Sequence, residues 1–174
     1  MRNNFRIILS IIVAFVLTAY LQDRLPPFSA YMIKIPFVLA AFVYFMFRHN
    51  LLMGIIAGVF CSILGDGLSQ SSSIAYLVSC TIALFANHYL FRKQFPENSI
   101  SCGLIAIPIC ALILIIQYVS LAINVDTIPS IGVALIKLLV TVLLTFLATI
   151  VLAEIFYRFE IIVGNKEVTH EELG

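Results

Sequence analysis

The chain has 174 residues, of which 62% are hydrophobic and only 11% charged, and its mean hydropathy is +1.10. A water-soluble domain of this length could not cover that much apolar surface, so a soluble enzyme or binding module is excluded. The net charge of +1 offers no basis for a nucleic-acid partner, and the information lies in where the charges sit.

A bilayer core about 30 Å thick takes roughly 17–25 helical residues, and the chain holds six apolar segments that predict six spans. The first covers 5–21 and stops at Gln22, Asp23, Arg24, Pro26 and Pro27, a stretch that cannot continue a helix. Arg2 and Arg6 ahead of an apolar run also fit a secretory signal. Leu17, Thr18, Ala19, Tyr20 and Leu21, however, offer no clean small-x-small cleavage site, and the expectation is a retained span. The second span, 31–47, tolerates Pro36 in its first turns. Arg48, His49 and Asn50 then form a turn so short that spans two and three must be antiparallel neighbours.

The third span, 51–65, exits at Asp66, Gly67, Ser69 and Ser71 to Ser73, and the fourth, 74–91, ends at Arg92, Lys93, Pro96, Glu97 and Asn98. Pro108 lies near the middle of the fifth, 100–123, and predicts a kink because it removes one backbone hydrogen bond. Asn124, Asp126, Pro129 and Ser130 connect it to the sixth, 131–157, which is long enough to tilt or to extend past the membrane surface. Residues 1–163 thus form a single six-helix transmembrane domain. Residues 164–174, polar and acidic with Glu167, Glu171 and Glu172, read as a disordered cytoplasmic tail.

Positive charge orients this bundle. Arg2, Arg6, Arg48, Arg92, Lys93, Arg158 and Lys166 fall at alternate breaks between apolar segments, whereas the other breaks hold only Arg24. Lys and Arg are retained on the cytoplasmic side of a bilayer, so the expectation is an all-α integral membrane protein with both termini cytoplasmic. Trp is absent, which leaves Tyr20, Tyr31, Tyr89 and Tyr157 among the residues for an interfacial belt.

Span three carries Gly54, Gly58, Ser62 and Gly65 at steps of four, four and three, which sets small residues along one helical face. Such a face permits close approach of another helix. The face serves either packing within the bundle or docking of a partner's helix. Asp66, at the outer end of this span, either helps to stop the helix or pairs with a cation. Lys137 is the cation best placed for that, about seven residues and roughly 10 Å into span six. A lysine at such depth costs about 2 to 3 kcal/mol unless it snorkels or finds a partner.

Gln117 lies at similar depth in span five, and Thr141, Thr145 and Thr149 follow Lys137 at steps of four, a stripe expected to face the interior. Asp66, Gln117, Lys137 and Lys34 form an expected outer polar cluster, whose members either satisfy one another or make a ligand or partner site. His49, Asn87 and His88 read as interfacial polar residues, and Glu154 with Arg158 has the i, i+4 spacing of an ion pair. Cys61, Cys80, Cys102 and Cys110 lack metal-ligand spacing and read as small packing groups. With no HExxH, nucleophile triad, phosphate loop or paired carboxylates, the expectation is a protein that is not an enzyme and needs no metal or cofactor.

The run Gly58-Val-Phe-Cys-Ser62-Ile-Leu-Gly-Asp66, preceded by Gly54 and followed by Leu68, resembles the segment typical of the rod-shape-determining protein MreD family. That family places small residues at the first and fifth positions of the run and an aspartate at the ninth. The chain differs in the loop after Asp66, where Gly67 is followed by Gln70 and Ser71 to Ser73 in place of further glycines, and Ser62 stands where glycine is usual. The resemblance implies a non-catalytic inner-membrane scaffold of the bacterial elongation machinery. Such a scaffold binds a bitopic MreC-like partner and is linked through it to MreB filaments and peptidoglycan synthases. The family is similar in fold to the substrate-binding S components of energy-coupling-factor vitamin transporters, which supply the alternative function. The first span offers only Ala14 with Thr18, and Ala19 off that step, for the docking face of an S component.

Overall fold

The computed structural model describes residues 2–27, 33–68, 74–91, 94–124 and 130–162. Among them the chain forms six α-helices: α1 Arg2–Arg24, α2 Phe37–Arg48, α3 Leu51–Leu68, α4 Ala75–Ala86, α5 Ser99–Asn124 and α6 Ile131–Ile162. A π-helical turn, Asn87–Phe91, extends α4. The residues expected to form the acidic tail lie outside the described segments, as do Arg92, Lys93, Ser71 to Ser73 and Asp126.

Four of the six helices, α1, α3, α5 and α6, are long and apolar enough to cross a membrane. The other two are shorter than expected. With 12 residues, α2 spans about 18 Å, well below the bilayer core thickness. The reason is local: Pro36 stands at its N-cap and the chain leaves the helix after Arg48. The remaining helix, α4, reaches Phe91 only by way of its π turn.

The short α2 is the centre of the molecule. All ten residues from Val38 to Phe47 are buried, on every side of the helix, as expected of a helix that is apolar all round. The packing pairs run α1 to α3, α3 to α4, α4 to α5, α5 to α6 and, more thinly, α6 to α1. The five helices close a ring, with α1, α3, α5 and α6 each touching α2. A helix so enclosed meets protein rather than lipid along Val38 to Phe47.

The outer faces of the ring are apolar as well. Val16, Ile63, Ile100, Leu139 and Val151, on four different helices, are each more than half exposed. An exposed apolar surface of this kind suits contact with hydrocarbon or with another protein.

Polar side chains close the helix ends where backbone groups would otherwise be orphaned. The Gln22 side-chain oxygen accepts the Val38 N–H at 3.2 Å, Asn50 Oδ1 accepts the Met53 N–H at 3.1 Å, and Asn98 Oδ1 accepts the Ser101 N–H at 2.8 Å. Asn50 and Asn98 each reach the third residue beyond themselves, the geometry of an N-cap. Helix α5 runs without interruption through Pro108.

Candidate functional site

The stripe on α3 faces inward. Gly54, Gly58, Ser62 and Gly65 are all buried. A Cβ added to Gly54 would meet Leu84 at 3.1 Å and the Met46 backbone at 3.5 Å. One added to Gly58 would meet Leu84 at 3.3 Å and Phe42 at 3.4 Å. At Gly65 it would run into the Tyr76 ring. Of the two uses expected of this face, the structure shows packing within the bundle: the face is filled by α2 and α4, whose close approach is what the missing side chains permit. Ser62 satisfies its own hydroxyl by donating to the Gly58 carbonyl at 2.8 Å.

The outer polar cluster divides in two. Asp66 turns to α4, where its Oδ1 accepts the Tyr76 N–H at 3.1 Å. Ile74, at the N-cap of α4, makes no side-chain cap bond, so Asp66 does the capping from another helix. Lys137, Gln117 and Lys34 instead line a single cavity of about 320 Å³ at the end of the bundle where Gln22 and Pro36 lie. Its wall is completed by Gln22, Pro27, Pro36, Leu68, Tyr76, Cys110, Ile113, Leu114 and Thr141, and no carboxylate is among these residues. Lys34, Gln117 and Lys137 thus share one cavity wall, whereas Asp66 is not among the lining residues. The threonine stripe does face inward, with Thr141, Thr145 and Thr149 at 3%, 1% and 0% exposure.

A second polar group occupies the opposite, basic end. Glu160 is fully buried; its Oε2 accepts the Tyr44 hydroxyl at 2.7 Å, and its Oε1 lies 2.8 Å from His49 Nε2. The Arg48 guanidinium stands over the rings of Tyr44 at 5.7 Å and Tyr157 at 4.6 Å, and its Nη2 donates to the Glu97 carbonyl at 3.0 Å. The group ties the last turn of α2 to the last turns of α6, across more than 100 residues of chain. Sequence reasoning places His49 at an interface and does not single out Glu160. The one available signal is a carboxylate amid the apolar run Ile155, Phe156, Tyr157, Phe159, Ile161 and Ile162.

Asn87 is likewise buried, donating from Nδ2 to the Met46 carbonyl at 2.8 Å from within the π turn. The ion pair expected between Glu154 and Arg158 forms at 3.0 Å on the surface. All four cysteines are buried free thiols, and among the described residues no group of His, Cys, Asp and Glu is arranged to hold a metal.

No protein-family model matches the chain, and neither a curated protein nor a solved structure matches it.

Proposed function

We propose that the chain is a multi-pass protein of a bacterial inner membrane, with both ends cytoplasmic, and that it is a non-catalytic scaffold of the cell-elongation machinery. The observation that carries the membrane reading is the combination of an apolar exterior on α1, α3, α5 and α6 with basic residues gathered at one end of the bundle, Arg48 and Arg158 among them. The scaffold reading rests on the MreD-like run from Gly58 to Asp66, and the geometry gives that run a physical purpose. Its small residues admit Phe42 and Leu84, and its aspartate caps α4, so it builds the α2–α3–α4 corner. A bitopic MreC-like partner would then meet an outward face of the ring.

Two measurements test this reading. Single cysteines placed at Pro27 and at Arg158, in a background where the four buried thiols are serine or alanine, should react with an impermeant maleimide only at Pro27 in intact cells. Co-expression with the MreC-like bitopic protein of the same genome should yield a stable complex in detergent. Labelling at Arg158 from outside would invert the topology, and failure of every such complex would remove the scaffold.

The cavity favours a second reading, a substrate-binding S component of an energy-coupling-factor transporter, because 320 Å³ is within the range of small-ligand sites. Lys137→Leu separates the two. Loss of assembly with the bitopic partner supports the scaffold, whereas intact assembly with loss of small-molecule binding supports transport.

A further inference from the structure

Lys34 and Lys137 border the same cavity, and among the described residues neither has a hydrogen-bond or ion-pair partner. Both lysines are exposed, and an anion in the cavity would gain the attraction of the two ammonium groups together. The second observation is independent of the lysines. Thr141, 3% exposed, lines the cavity, and its Oγ1 is buried without a hydrogen-bond partner among the described residues. The next two threonines of the stripe show what a satisfied hydroxyl does here. Thr145 donates to the Thr141 carbonyl at 2.6 Å and Thr149 to the Thr145 carbonyl at 2.7 Å. Thr141 makes no such bond to its own preceding turn, so a buried hydroxyl on a residue of the cavity wall is left without a partner among the described residues.

We infer that this cavity is a binding site for an anionic head group on an apolar stem, a phosphate monoester being the fitting chemistry, held by Lys34, Lys137 and the Thr141 hydroxyl. Two ammonium groups supply charge without imposing a fork geometry, which suits a phosphate with several equivalent oxygens. Gln117 adds an amide at the same wall, and Ile113 with Leu114 receives the stem. The ligand is either a soluble organic phosphate or the head of an anionic lipid. The inference rests on the cavity and not on either reading of function.

The test uses the full chain in an uncharged maltoside detergent. Hexyl phosphate, hexylammonium and hexanol are titrated by calorimetry, and phosphatidic acid is added in a parallel series read by native mass spectrometry. Hexyl phosphate should bind, with hexanol and hexylammonium at least about tenfold weaker. Lys34→Gln and Lys137→Gln should each weaken it roughly ten- to a hundredfold, as loss of a charge-assisted contact does. Thr141→Val should weaken it a few-fold while the protein stays monodisperse.

Retention of phosphatidic acid without hexyl phosphate identifies a lipid head as the source, and the reverse identifies a soluble anion. Failure of both anions to bind overturns the site. Equal binding of hexanol, or binding indifferent to both lysine variants, overturns it as well. The proposed membrane topology and partner complex are read in separate experiments and survive that outcome.

Discussion

At the scale of single residues, Gly65 and Gly67 make a matched pair. An added methyl at Gly65 would collide with the Tyr76 ring, whereas nothing lies within 4 Å of one added at Gly67. Gly65→Ala should therefore destabilise the fold by about 1–3 kcal/mol, the usual cost of overpacking, and Gly67→Ala should leave it unchanged. Denaturation in mixed micelles measures both. If the two variants unfold together, the α3–α4 contact is not as close as described.

Glu160 supports a second prediction at this scale. Its removal leaves the Tyr44 hydroxyl and the His49 ring without their acceptor. Glu160→Ala should cost about 3–5 kcal/mol, as expected when one member of a buried pair is lost, and Tyr44→Phe about 1–3 kcal/mol. In the Glu160→Ala background Tyr44→Phe should cost far less, which a double-mutant cycle reads directly. Additive losses would mean that the two groups act independently.

Helices α2 and α4 show the difference between what hydropathy describes and what packing requires. An apolar run from 31 to 47 reads as a span, yet the helix begins only at Phe37 because Pro36 occupies its N-cap. Its apolar character on every side serves burial in protein rather than contact with lipid. Ala41 is 0% exposed and Val16 is 64% exposed, so Ala41→Leu should lower stability by about 1–3 kcal/mol while Val16→Leu should be neutral.

Helix α4 depends on a cap borrowed from α3. Asp66→Ala should cost about 0.5–2 kcal/mol, the range for loss of an N-cap, and leave anion binding in the cavity intact because Asp66 is not on its wall. A change in ligand affinity on this substitution, with the fold retained, would place Asp66 back in the cluster with Lys137.

For the whole molecule, the ring of five helices around α2 creates two polar ends with different construction. One is closed, its Glu160, Tyr44 and His49 satisfied by one another; the other is open, with a cavity bordered by Lys34 and Lys137, which have no partner among the described residues. The exterior between them is apolar, and Leu139 on α6 is 66% exposed there. Leu139→Arg should impair insertion by about 2–3 kcal/mol where the position faces hydrocarbon, measurable as loss of protein from the membrane fraction. An undiminished yield would place that face in water and not in lipid.

Six helices in order, the antiparallel turn at Arg48 to Asn50, the inward threonine stripe and the surface pair Glu154–Arg158 are all legible in the chain itself. Each depends on local periodicity, on breakers or on spacing within one helix. The assignment of α2 to the centre, the filling of the Gly54–Gly58–Ser62–Gly65 face by α2 and α4, the turn of Asp66 toward Tyr76 and the meeting of Tyr44 with Glu160 were decided only by tertiary structure. Hydropathy is blind to whether an apolar side chain meets lipid or another helix, since both are equally apolar surroundings. The partner of a polar group is likewise set by which helices lie side by side, and a one-dimensional pattern does not carry that information.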